Sequence, residues 1–174
     1  MIALISSFVF TGCVSRSERT PGGFHDRSEQ DPALSGSGEK LAVIVEQQGR
    51  PTVQLRDLRN GQILPLRHFA RHQPHSSPSL SWNGRYLAVI IQKGRRREAV
   101  IEDRLSGRFL PLRLPGGREP IRLSLSPDAR QVAVQVTDRG HWHVELLDLR
   151  DLLEPDQAAG LRRSTPPSSS WRQP

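Results

Sequence analysis

The chain holds one cysteine, Cys13, and the residues around it point to chemistry at that sulfur. Residues 2–10, Ile-Ala-Leu-Ile-Ser-Ser-Phe-Val-Phe, are all apolar or small, and they run straight into Thr11-Gly12-Cys13. Nine residues are too few to span a bilayer, which takes about 20, but they suit a signal-peptide core. Gly12 is small enough to sit at a peptidase cleavage point, which makes the adjoining thiol a candidate for modification. With no second thiol in the chain, stability outside a reducing compartment must come from packing rather than from disulfides. Two histidine groups raise the question of metal. His68, His72 and His75 lie beside Pro74 and Pro78 in what reads as a connecting loop, with no acidic or cysteine partner near them. His141-Trp142-His143 opens an extended run, so both imidazoles share a face. Two ligands at i and i+2 still need a third from elsewhere, and the sequence shows no obvious one. No Gly-x-Ser-x-Gly, phosphate loop, His-Glu-x-x-His or Cys-x-x-Cys pattern occurs. No catalytic residue, metal site or cofactor is expected.

Charge supplies the other candidate chemistry. The formal net charge is +7, and it is uneven: residues 40–122 carry 16 Lys/Arg against 6 Asp/Glu. Arg56, Arg59, Arg85, Arg104 and Arg108 fall in the strands and turns of two repeated units and form a candidate binding patch. Such a surface would suit an acidic protein, an acidic polysaccharide or anionic headgroups. Arg95-Arg96-Arg97 reads as the solvated tip of a hairpin. Nucleic acid is a poor fit despite a pI near 11.0, because aromatics are only 5% of residues and none interleaves with the arginine run.

The elements that must carry these residues are repeats. Leu34-Ser-Gly-Ser-Gly-Glu-Lys-Leu-Ala-Val43, Leu80-Ser-Trp-Asn-Gly-Arg-Tyr-Leu-Ala-Val89 and Leu125-Ser-Pro-Asp-Ala-Arg-Gln-Val-Ala-Val134 align without gaps. Asp57-Leu-Arg-Asn-Gly61 recurs as Asp103-Arg-Leu-Ser-Gly107, and Leu64-Pro-Leu66 as Leu110-Pro-Leu112. A period of about 45 residues marks a repeat architecture. Inside one unit, short apolar or alternating runs are separated by Ser-Gly and Asn-Gly turns, where φ > 0 comes easily. Each unit therefore predicts a four-stranded antiparallel meander, the size of a propeller blade. Residues 41–45, 87–91 and 132–136 are nearly all apolar, as expected of strands buried between neighbouring blades. The following strands alternate, which predicts one face open to water.

The Leu-Ser-Pro-Asp-Ala and Leu-Ser-Trp-Asn-Gly elements resemble the Trp-Ser-Pro-Asp-Gly motif of the WD-like propeller repeats in TolB-family proteins, and the Asp-Leu-x-x-Gly hairpin resembles that family's second half-blade. The resemblance covers roughly residues 31–150 and implies an all-β fold of about three antiparallel four-stranded blades. Leu replaces the family's first Trp in every copy, and Ala129 stands where Gly is usual, so that turn either avoids φ > 0 or bears strain. The third unit lacks a Leu-Pro-Leu strand. Three blades fall short of the four to eight common in rings. Completion by further chains, an open stack or a degenerate fragment are the alternatives. Phe10-Thr-Gly-Cys13 resembles a bacterial lipobox, although Phe10 replaces the usual Leu and no Lys or Arg precedes the apolar run.

The expected organisation is a lipoprotein signal peptide at 1–12, a flexible tether at 13–30, TolB-like propeller repeats at 31–153, and a disordered tail at 154–174. The resemblances imply a lipid-anchored protein facing the periplasm or cell envelope, non-enzymatic, with a protein or envelope-glycan partner and the option of homo-oligomers. Val14 after the cysteine leans toward the outer membrane by analogy with enteric sorting. The alternatives are a structural accessory subunit that completes a larger propeller, and a remnant of a propeller-bearing hydrolase.

Overall fold

The computed structural model describes residues 28–69 and 73–157, and it turns the repeat into three antiparallel sheets. Blade 1 is β1 (Glu29–Leu34), β2 (Lys40–Gln47), β3 (Arg50–Asp57) and β4 (Ile63–Leu64), side by side in chain order. Blade 2 is β5 (His75–Leu80), β6 (Tyr86–Lys93), β7 (Arg96–Asp103) and β8 (Arg108–Pro111). A single 3-10 turn at Pro115–Gly117 leads to blade 3, made of β9 (Glu119–Leu125), β10 (Gln131–Asp138) and β11 (His141–Asp148). Among the described residues blade 3 has no fourth strand, β11 is its edge, and the sheets do not close into a ring.

The blades stack through the strands that the sequence makes most apolar. All six residues from Tyr86 to Ile91 in β6 are buried, because both faces of this strand meet another sheet. Leu87, Val89 and Ile91 pack with Ala42, Ile44, Val53 and Leu55 of blade 1. Tyr86, Ala88 and Ile90 pack with Val132, Val134 and Val136 of blade 3. Each fully buried Val, Leu or Ile stabilises by about 1.5–3 kcal/mol, so the central strand of blade 2 anchors both interfaces.

The prediction of a half-wet third strand is corrected. In β3 residues 52–57 and in β7 residues 99–103 are buried, including the polar Gln54, Arg56, Asp57, Glu102 and Asp103. Those polar groups have partners: Arg56 donates to Gln54 and Glu29, and the Glu102 carboxylate accepts from the backbone N–H groups of Arg67 (3.2 Å) and His68 (3.0 Å). Of the three third strands, β11, which among the described residues has neither a fourth strand nor a further blade beside it, stays exposed along most of its length.

Both outer boundaries shift as well. The first strand begins at Glu29, inside the stretch read as tether, where it pairs with Val45. At the other end the chain stays built into the fold through Gln157, with Leu153 and Asp156 buried, although the tail was expected to begin at 154. The Ala129 question is also answered. Its φ is +60°, a conformation that costs an L-residue strain, and its methyl lies fully buried between blades 2 and 3.

Candidate functional site

Turn for turn, the same bonds recur at one rim of the three blades. Ser35, Ser81 and Ser126 leave the first strand of each, and each Oγ accepts from the N–H that opens the second, at Lys40 (3.0 Å), Tyr86 (2.9 Å) and Gln131 (2.9 Å). Asp57, Asp103 and Asp148 end the third strands, and each accepts from the backbone two residues on, at Arg59 (2.9 Å), Leu105 (3.0 Å) and Arg150 (2.9 Å). The aspartate bonds, two residues on, make Asx turns, and the serine bonds, five residues on, staple the turn between the first and second strands. The repeated Ser and Asp are thus turn chemistry.

Neighbouring rims are tied together. The N–H of Ser37 donates to the Trp82 carbonyl (2.9 Å), the N–H of Trp82 donates to the Pro127 carbonyl (2.6 Å), and Lys40 Nζ reaches the Asn83 carbonyl (2.8 Å). Gly36 lies against Trp82 so closely that a Cβ there would fall 2.5 Å from the indole ring.

The segment after β11 turns back across this rim. Leu149 and Leu153 enter the apolar layer between blades 2 and 3. Asp156 is buried and accepts from Ser81 Oγ (2.5 Å), Asn83 N–H (2.8 Å) and Asn83 Nδ2 (2.8 Å), while its own N–H donates to the Asp128 carbonyl (3.1 Å). Sequence reasoning missed Asp156 because its partners lie more than seventy residues away.

The five candidate arginines do not gather into a bare cationic face. Arg56 is buried and pairs with Glu29 at 2.7 Å. Arg59 pairs with Asp57 at 3.0 Å; its hydrogen bonds hold that carboxyl down at about 2 and raise its own pKa. Arg85 stands between Asp103 (3.0 Å) and Glu154 (2.7 Å) and lies 4.9 Å from the Tyr86 ring centre. Burial opposes ionisation of Asp103, but bonds from Arg85, the Ser106 hydroxyl and the backbone of Leu105 and Ser106 outweigh it and hold the carboxyl at about 2. Arg104 donates to the Gly84 carbonyl (2.8 Å), and burial lowers its pKa. Arg108 is exposed and, among the described residues, has no ion pair. Four of the five cations are therefore engaged within the blades; a count of charges could not show their partners. Arg85, Arg108 and Arg150 line a rim groove of about 400 Å³ together with Asp103, Asp151 and Glu154, so its charge is mixed.

The histidines divide as well. His75 is no loop residue: it is buried as the first residue of β5, its Nδ1 accepts from the Val53 N–H at 3.0 Å, and its ring meets Phe69 edge-on at 5.4 Å. His68 Nε2 lies 2.7 Å from the Gly107 carbonyl. His141 and His143 are exposed on β11. Among the described residues no group of three or more His, Cys, Asp or Glu could hold a metal ion, and no helix is long and apolar enough to cross a membrane. Cys13, His72 and most of the expected tail lie outside the described residues.

Stacked antiparallel meanders of four, four and three strands, joined at a common rim, define the class: this is a partial β-propeller with a TolB-like fold. The solved structures it is similar to include TolB from Acinetobacter baumannii, with a TM-score of 0.56 at 18% identity over 70% of this chain and 30% of that one. The β-propeller domain of the Trilobed protease from Pyrococcus furiosus, with its open velcro topology, gives 0.55 at 15% identity over 75% and 41%. A putative TolB from Agrobacterium tumefaciens gives 0.53 at 14% identity over 71% and 46%. The chain thus spans less than half the length of each. The sequence matches no protein-family model and no curated protein.

Proposed function

We propose that the chain is a non-enzymatic, lipid-anchored binding module of the cell envelope, whose propeller blades recognise a protein or an envelope glycan. The observation that carries this reading is the fold itself: a TolB-like blade stack that, among the described residues, has an open β11 edge and a rim groove. Within the former arginine patch, Arg108 supports contact with an acidic group, since it is exposed at the groove while its neighbours serve the blade. Anchoring rests on Cys13 and the apolar run before it; more than one acyl chain makes such an anchor stable. A structural accessory subunit is the second reading, favoured by the three-stranded blade 3.

Metabolic labelling with palmitate tests the anchor. The wild-type chain is expected to take label and fractionate with membranes, and Cys13→Ala to lose both. Absence of label from the wild type would overturn the anchoring. Capture of envelope partners that is indifferent to Arg108→Glu would remove that residue from the recognition surface.

A further inference from the structure

An exposed edge strand offers a row of unpaired backbone groups to any other chain, and proteins usually blunt such edges with Lys, Pro, a bulge or extreme shortness. Blades 1 and 2 do so: β4 has two residues, and β8 ends at Pro111. By contrast β11 has eight residues, no Lys or Pro, and an unbroken register with β10 from Asp138↔His141 to Gln131↔Asp148. Its large apolar side chains are bare, with Trp142 69%, Val144 70% and Leu146 63% exposed. Their counterparts one repeat earlier are Ala99 and Ile101 for Val144 and Leu146, and both of those are fully buried.

The backbone direction along this edge follows from its turn. Arg139 and Gly140, at φ +47° and +83°, make a two-residue hairpin loop. The hydrogen-bonded pairs with β10 then fall at His141, His143, Glu145 and Leu147. Trp142, Val144 and Leu146 turn their N–H and C=O groups to the open side. Ala99 behaves as this requires: its carbonyl faces the fourth strand and accepts from Leu112 N–H at 2.8 Å.

We propose that β11 is a self-association edge, at which two copies of this chain join antiparallel, β11 to β11, about a two-fold axis through Val144. The occupant is a second copy because the strand is complementary to itself in that register. With Val144 opposite Val144, Trp142 meets Leu146 twice, and the imidazole of His143 meets the carboxylate of Glu145 twice. Every outward-turned backbone group from Trp142 to Leu146 finds a partner, and the two third blades become one six-stranded sheet. Glu145 also pairs with Arg118 on the side toward blade 2, which holds its carboxylate in place for the partner's His143. A two-fold axis at Glu145 would set that carboxylate against its own copy and Trp142 against Asp148.

Cross-linking tests the register. In the full chain carrying Cys13→Ala, which removes the one native thiol, Val144→Cys is added. Cα atoms of a hydrogen-bonded antiparallel pair lie about 5.5 Å apart, within disulfide reach, so mild oxidation is expected to give a species of twice the mass. His141→Cys in the same background is the control. Its two copies would lie six residues out of register, roughly 20 Å apart, and at least tenfold less cross-linking is expected. Sedimentation of the chain without added thiols is expected to show a dimer at concentrations up to about 100 μM, a range suited to a small interface. Val144→Lys, at an exposed position that leaves the fold intact by circular dichroism, should weaken association at least tenfold. A monomer throughout that range, equal cross-linking at positions 141 and 144, an undisturbed Val144→Lys dimer, or a different protein strand found on β11 would each overturn the proposal.

Discussion

Replacing Asp156 with alanine should loosen the rim more than any change at an exposed charge. The carboxylate accepts three bonds of 2.5 to 2.8 Å from Ser81 Oγ, Asn83 N–H and Asn83 Nδ2. Bonds to a charged group contribute about 1.5–3 kcal/mol each, and a buried donor left unpaired costs about 1–3 kcal/mol. Some of this is recovered. Ser81 Oγ can turn to the Tyr86 carbonyl at 3.4 Å, and the Asn83 amide, at the surface, can take water. A net loss of about 3 kcal/mol remains. With a urea slope of about 2 kcal/mol/M for a domain of this size, the midpoint should fall by roughly 1.5 M. Glu154→Ala serves as the internal control, because that side chain is 76% exposed where it meets Arg85, and surface pairs contribute at most about 1 kcal/mol. The double variant Asp156→Ala with Asn83→Ala should show a coupling of at least about 1 kcal/mol. If Asp156→Ala costs no more than Glu154→Ala, or the double variant is additive, the segment after β11 does not latch the rim and the reasoning fails.

Gly36→Ala should destabilise by about 1–3 kcal/mol, the usual effect of overpacking, because the new methyl collides with the Trp82 ring; thermal unfolding reads this directly, and an unchanged midpoint would refute the close approach. Acid stability should depend on Asp103. Its carboxyl is held at about 2 against 3.8, so the stabilisation is present above about pH 4 and is lost as pH falls toward 2. Asp103 is expected to account for up to about 2 kcal/mol of the stability lost across that window in urea titrations, by linkage. Asp103→Asn should lose visibly less, and an equal loss in both would show that the pairing with Arg85 does not stabilise the fold.

The strands and turns were legible because three copies of one pattern constrain each other. A Ser at the exit of each first strand and an Asp at the end of each third strand do the same work every time, so spacing alone places them. What stayed hidden was pairing at long range. Alternation in β3 and β7 implied a wet face, yet Arg56 and Glu102 are buried because partners from other segments, Glu29 and the backbone at 67–68, satisfy them, and Gln54 is bonded by Arg56. Arg59 and Arg85 counted as free charge only while their carboxylates were unknown. His75, between prolines, read as loop, but its strand begins where the Val53 N–H needs an acceptor. Asp156 looked like tail because polar composition says nothing of a contact with Asn83.

That contact also sets an order of events during synthesis. Blade 2 has all its strands once Asp103 and Pro111 have been made, yet the turn at Ser81 and Asn83 still lacks its acceptor. Asp156 follows Pro111 by 45 positions, which at roughly 5–20 residues per second takes about 2 to 9 seconds. For that interval the central blade waits with open donors at its rim, and blade 3, which covers its second face, is still being made. The nascent protein is therefore expected to gain protease resistance in two stages, with the second arriving only when position 156 clears the ribosome.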